Sequence, residues 1–253
     1  MSVVDAQLKA AAALRDRVAK MAFAPPVARV YNPLLYAWES FEEYVVRYGA
    51  TEKRVLFLGM NPGPWGMTQT GVPFGEVTAV RDWLGISAPI GRPEEEHPQY
   101  PVDGYACKRS EVSGRRLWGL FKDRFGSPES FFQEHFVVNY CPLLFIETWE
   151  SPRRAGARNL TPDKLPPSER RALYDACDAH LRRLVEALSP RYLIGVGNFA
   201  AARAQKALEE TLGNTASAAP AIGRILHPSP ASPKSNTGWS DEAARQMTAL
   251  GAW

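Results

Sequence analysis

The sequence predicts an α/β fold: a three-layer α/β/α sandwich around a central, mostly parallel four-stranded sheet. Three observations carry this. Four short β-rich runs, Arg54–Leu58, Phe136–Tyr140, Tyr192–Val196 and Ile222–Leu226, are separated by segments of helical spacing. The first of them, Arg54–Leu58, is a short apolar run, as a strand buried on both faces is. The length of 253 residues, with 45% hydrophobic residues, suits one large domain over 1–253 with a full core.

Leu14, Val18 and Met21 recur at helical spacing, so the first segment reads as an amphipathic helix. Trp38, Phe41, Val45 and Tyr48 repeat the pattern, and Gly49 ends it as a C-cap. The first strand runs into GMNPGPWGMTQTGVPFGE, residues 59–76, whose glycines and prolines exclude a regular helix or strand. A helix is expected over Val77–Leu84, then a long Pro-containing loop over 85–110, a length usually tied to function. Helices follow at Ser113–Phe125 and Glu129–Glu134. The second strand stops at Cys141-Pro142, because proline cannot continue a central ladder. A polar loop with Arg153, Arg154, Arg158 and Lys164 is expected next. The clearest helix is Ser168–Leu188, with Ser168 as N-cap and Leu173, Cys177, Leu181, Leu184 and Leu188 as its apolar face. The third strand leads to a helix from Asn198, and the fourth to HPSPASPKSNTGW. Ser240-Asp-Glu is expected to cap the last helix.

The net charge of +3 and pI near 8.8 permit nucleic-acid binding without arguing for it. Three scattered cysteines, Cys107, Cys141 and Cys177, fit neither a disulfide framework, a zinc site nor an iron–sulfur cluster. A reducing compartment is expected: the cytoplasm, or the nucleus of a eukaryotic cell. The N-terminus lacks the apolar core of a secretory signal, and no apolar run is long enough to span a membrane.

In sheets of this kind ligands bind outside the carboxyl ends of the strands. Three unusual segments stand there: 59–76, 139–146 and 227–239. In the first, prolines fix the backbone around Asn61, and Phe74 sits between Pro73 and Gly75 as an aromatic held in a constrained loop. Alone, Asn61 reads as a turn residue and Phe74 as core. Asn139 closes the second strand, and its amide offers a donor beside an acceptor, the complement of the uracil edge. His227 follows the fourth strand, where an imidazole can meet a developing negative charge. His97, His135 and His180 lack such a context and read as structural.

GMNPGPWGMTQTGVPFGE, NYCPLLF and HPSPASPKSNTGW together resemble the signatures of the single-strand-selective monofunctional uracil-DNA glycosylases, the SMUG family. SEVSGRRLWGLF, RNLTPDKLP and GVGNFAAARA are similar to its linking segments, so the resemblance runs from about Tyr31 to Trp239. It implies a metal- and cofactor-free base-excision repair enzyme with a uracil-DNA glycosylase-like fold. Its substrates would be uracil and 5-hydroxymethyluracil in single- and double-stranded DNA. It would act as a monomer, away from membranes, and leave an abasic site. By resemblance Asn61 positions the attacking water and His227 stabilises the departing base at O2. Phe74 stacks on the flipped base and Asn139 reads its edge, while Met60, Gly63 and Met67 line the base pocket. Ser229, Pro230, Ala231, Ser232, Lys234 and Asn236 belong to the wedge that enters DNA. Where many members carry arginine after HPSP this chain has Ala231, with Lys234 as a partial replacement. An enzyme built on Asn61, which is no strong base, is expected to be slower than one with a carboxylate there.

Two other readings remain on the sequence. One is a lesion-binding module without catalysis, against which Asn61 and His227 together argue. The other is a nucleotide-binding enzyme, because Gly195-Val-Gly197-Asn-Phe-Ala200 loosely matches a GxGxxA turn. No ribose-binding acid follows at the required distance, so that turn reads as close helix–strand packing.

Overall fold

The computed structural model describes residues 1–151, 154–212, 219–231 and 235–253. Among them the central sheet has four strands: β2 Val55–Gly59, β3 His135–Asn139, β6 Tyr192–Val196 and β7 Ala221–Ile225. Their order is β3-β2-β6-β7, and every pairing is parallel. Both β2 and β3 are buried along their whole length, which is why their sequences read as unbroken apolar runs.

Helices cover both faces. Phe57 on β2 packs its ring against Phe121 of α5 (Val112–Phe125) and Phe131 of α6 (Pro128–Phe132). On the other face, a Cβ placed on Gly195 of β6 would lie 2.3 Å from the backbone nitrogen of Ala201 in α8 (Asn198–Leu212). Gly195 therefore serves close helix–strand packing, as expected, whereas Gly197, with φ of +94°, backs onto His227. α7 (Pro167–Leu188) packs on α8 and on α1 (Val3–Val18).

A second sheet departs from expectation. β1 (Val27–Tyr31), β4 (Leu144–Ser151) and β5 (Arg154–Leu160) pair antiparallel in the order β1-β4-β5. The segment expected as a polar loop is thus half of a hairpin. β5 reads RAGARNL and has no apolar alternation, since it is an edge strand whose ladder to β4 supplies its order. Tyr31, Leu144, Ile146 and Val102 form a small core beneath this sheet.

Three helix starts also differ. α7 opens at Pro167, with Pro166 in the cap position, so Ser168 lies inside the helix. Proline suits that first turn because the N–H it lacks would be unpaired anyway. The last helix, α9 (Trp239–Ala249), opens one residue before Ser240 after a left-handed Gly238, since Trp239 is drawn into the core. Over Val77–Leu84 the chain forms a π-helical turn, Ala79–Trp83, closed by the Leu84 N–H donating to the Ala79 carbonyl at 2.9 Å. No helix among the described residues is long and apolar enough to cross a membrane.

Candidate active site

The parallel register sets Gly59, the last residue of β2, directly beside Asn139, the last of β3. A cavity of about 240 Å³ opens there, lined by Asn61, Phe74, Asn139 and His227 together with Met60, Gly63 and Ser229. Its size is enough for one base. Residues from the three loops singled out in the sequence therefore meet in one place.

Phe74 is the strained member. Its φ of +53° lies in the left-handed region, costly for a bulky side chain. Packing holds it: its carbonyl accepts the buried Trp118 indole N–H at 3.1 Å and the Glu76 N–H at 2.7 Å. A Cβ on Gly59 would lie 2.5 Å from the Phe74 ring and 2.3 Å from Asn139 Oδ1. Glycine at 59 is what allows the ring and the amide to approach each other. Asn139 is buried, and its Nδ2 donates to Met67 Sδ at 3.3 Å. Thioether sulfur is a weak acceptor, so this donor is held in place yet available for a better partner. Met67 lies behind the amide rather than in the cavity wall.

The orientation of Asn61 is set by two carbonyls. Nδ2 donates to Leu143 at 3.1 Å and Pro62 at 3.3 Å. Oδ1 is left as the acceptor, the end needed to hold a water. His227 is oriented in the same manner. The Ser229 N–H donates to Nδ1 at 3.1 Å, which places the proton of the neutral imidazole on Nε2. Among the described residues none bonds Nε2. Burial pushes the His227 pKa down to about 4, so the ring is neutral near pH 7.

The 227–236 loop is fastened from below. Ser235 Oγ donates to the His227 carbonyl at 2.5 Å. Arg116 of α5 donates to the Pro228 carbonyl at 2.8 Å and to Asn236 Oδ1 at 3.2 Å. Asn236 Nδ2 donates to Pro230 at 3.1 Å, so this amide braces the loop. Pro230 and Ala231 are exposed at its tip. Ser232 and Lys234 lie outside the described residues.

Sequence reasoning missed Glu111, Ser113, Asn159 and Thr161, which also line the cavity, and Arg116 beneath it. Glu111 lies closest to the loop that carries Asn61: a Cβ on Gly63 would lie 2.3 Å from its carboxylate, and one on Gly66 would coincide with it. Its Oε2 is buried without a partner. Burial, with Glu76 adding to it, pushes this carboxyl up to about 7. A buried acid wedged beneath a Gly-Pro loop was detectable only as a charged residue in SEVSG.

Residues 46–247 match the uracil DNA glycosylase superfamily. The chain belongs to this family. It is 46% identical over 250 residues to the single-strand selective monofunctional uracil DNA glycosylase of Bos taurus, covering 99% of this chain and 88% of that protein. The relative of the same name from Mus musculus is 45% identical over 250 residues, covering 85% of its length. The crystal structure of SMUG2 from Pedobacter heparinus superposes with a TM-score of 0.67 at 17% identity, covering 100% of this chain and 98% of that one. At that identity the likeness is one of fold, and it agrees with the α/β sandwich built on a parallel four-stranded sheet.

Proposed function

We propose that this chain hydrolyses the bond between uracil and deoxyribose in DNA, single- or double-stranded, and leaves an abasic site. The observation that carries the reading is a fixed amide orientation beside a fixed imidazole tautomer. Asn61 turns an acceptor, and His227 keeps its Nε2 proton, on one base-sized cavity.

As the C1′–N1 bond breaks, its electron pair passes to the uracil ring and positive charge builds on the sugar. The neutral His227 Nε2–H would donate to O2, where the negative charge gathers. One such donor is worth roughly 3–4 kcal/mol of the barrier. A water held by Asn61 Oδ1 adds to C1′ and loses its proton to solvent. Asn61 acts by positioning. Phe74 would stack on the extruded base, and Asn139 would exchange its Met67 contact for O4 and N3–H of uracil. Cytosine presents the opposite pattern. The unpartnered Glu111 Oε2 and Asn159 Oδ1 give the wall capacity for a polar substituent, which favours 5-hydroxymethyluracil as a further substrate. All of these groups come from one chain, so a monomer suffices.

Among the described residues no lysine lines the cavity, so the reading is monofunctional: no Schiff base and no strand cleavage. The test is one panel of single-stranded, U:G, U:A and 5-hydroxymethyluracil oligonucleotides, with wild type, Asn61→Ala and His227→Ala. Each variant is expected to lose about 10²–10³ in kcat. Wild-type turnover by Asn61→Ala overturns its role, and borohydride trapping of an enzyme–DNA adduct overturns the monofunctional reading.

A further inference from the structure

A second, larger cleft is lined by chain neighbours of the base pocket. Two segments border the pocket: the loop through Gly63 and Pro64, and the segment through Glu111. One residue beyond Pro64 stands Trp65, and two residues before Glu111 stands Arg109. Both line a cleft of about 700 Å³ together with Tyr100 and Lys108. One or two residues of chain span about 4–7 Å, the order of a single nucleotide step along a strand.

The cleft is a built feature. The Arg109 guanidinium lies over the Trp65 ring at 4.3 Å from its centroid. The Tyr100 ring lies 5.6 Å from Trp65 on a tilt of 31°. Tyr100 is tied by its hydroxyl to the Ala157 carbonyl at 3.1 Å. Gln69, fully buried, holds the two walls together: Nε2 donates to Pro64 and Pro101 at 2.9 Å each, while Oε1 accepts the N–H groups of Asp103 and Gly104. The long loop over 85–110 is thereby locked to the loop that carries Asn61.

The charge is equally specific. Lys108 and Arg109 are exposed, and among the described residues neither has a carboxylate partner within salt-bridge distance. The one acid of the cleft, Asp103, faces Arg92 at 3.9 Å. A guanidinium over an indole can still present N–H donors whose fork matches a phosphate. An aromatic surface beside unpaired cations is the arrangement that binds single-stranded nucleic acid by stacking and charge.

We infer that this cleft is a subsite for the unpaired nucleotide next to the extruded one, with Trp65 and Tyr100 as the base-facing surface and Lys108 and Arg109 on the phosphate. In a duplex that neighbour stays stacked on its own strand and gains little from Trp65. In a single strand it is free to stack on protein. The cleft thus favours single strands, whereas the exposed tip at Pro230 and Ala231 is the element suited to duplexes. The inference rests on the proposed glycosylase reading for its occupant, but its test does not need catalysis.

The probe is a fluorescein-labelled thymidine 11-mer without uracil, free or annealed to its complement, titrated by anisotropy. Trp65→Ala and Arg109→Ala are expected to weaken single-strand binding about tenfold and duplex binding less than twofold. Trp65→Phe should keep most of the affinity, which separates lost stacking from misfolding. Arg109→Ala should also lower the salt slope for single strands by about 0.7. Unchanged single-strand affinity in both alanine variants, or equal losses on both probes, overturns the subsite. Uracil release measured on the same preparations separates the two readings. A wild type that binds single strands through Trp65 but releases no uracil sinks the activity and leaves the subsite standing. Uracil release with unaltered binding in both variants does the reverse.

Discussion

Phe74, Asn139 and Gly59 meet inside the carboxyl edge of the sheet, whereas Pro230 and Ala231 sit on an exposed turn held from below by Arg116 and Ser235. In the first region each side chain is fixed by contacts that leave no room for an added methyl. In the second, the backbone is held and the side chains of Pro230 and Ala231 are exposed. The base-holding wall is therefore specified by steric exclusion, and the strand-facing tip by what its residues offer to a partner. A substitution in the wall should act on chemistry whatever the DNA, and one at the tip should act through the form of the DNA.

The sharpest way to break this contrast is Gly59→Ala. The added Cβ would displace both the Phe74 ring and the Asn139 amide. Misplacement of this order costs about 100-fold in activity, on single and double strands alike. A folded Gly59→Ala protein, checked by its melting curve, that keeps more than a tenth of wild-type turnover would show that the wall is not pre-set.

Acid should act on the wall next. The unfolded chain protonates His227 at its ordinary value near 6.5, while the folded chain holds it neutral down to about 4. The unfolded state therefore takes up the proton first, and stability falls as pH drops from 6.5 toward 4. Between pH 6.5 and 5 the His227 share is at most about 2 kcal/mol. His135 and His180, also pushed down to about 4 by burial, add in the same direction. Urea midpoints at the two pH values should shift less in His227→Gln than in wild type. An equal shift would place the loss elsewhere.

Glu111 should give the opposite sign. Its carboxyl is held at about 7 against an ordinary value of 4.5. The folded state keeps this proton longer, so its contribution to stability is lost as pH rises from about 4.5 to 7. Glu111→Gln should gain roughly 1–2 kcal/mol on wild type between pH 5 and 8. A constant difference across that range would mean the acid is not wedged neutral beneath the loop.

The smallest effect belongs to the tip. Ala231→Arg should raise kcat/KM on U:G duplexes about two- to fivefold through an added phosphate or stack contact, and leave single strands unchanged. Equal gains on both substrates would erase the distinction between wall and tip.

The same contrast explains what was legible in the sequence. β2, β3 and β6 were, because strands buried on both faces are mostly apolar, while β7, an edge strand that carries the exposed Arg224, was legible from its short β-rich run before the HPSP segment. The hairpin of β4 and β5 was not: RAGARNL takes its order from a neighbour rather than from its own pattern. Asn61, Phe74, Asn139 and His227 stood out because they share motifs with glycines and prolines that fix the backbone. Glu111, Asn159 and Arg116 did not, because only the folded topology carries them under loops tens of residues away. The positive φ of Phe74 was equally hidden, since no residue type announces a strain that its neighbours impose.

The anchoring of Asn61 bears on how such a site can change over generations. Its Nδ2 faces two carbonyl oxygens, at 3.1 and 3.3 Å. An aspartate there would set one oxygen of its carboxylate against both, and the donor that aims the side chain would be gone. A single base change that converts Asn61 to Asp therefore yields a disoriented acid rather than a stronger base. Gaining a well-aimed general base at this position would also require the Leu143 and Pro62 carbonyls to turn away. The amide is in that sense a local optimum guarded by its own backbone, and speed, if selected, has easier routes elsewhere in the chain.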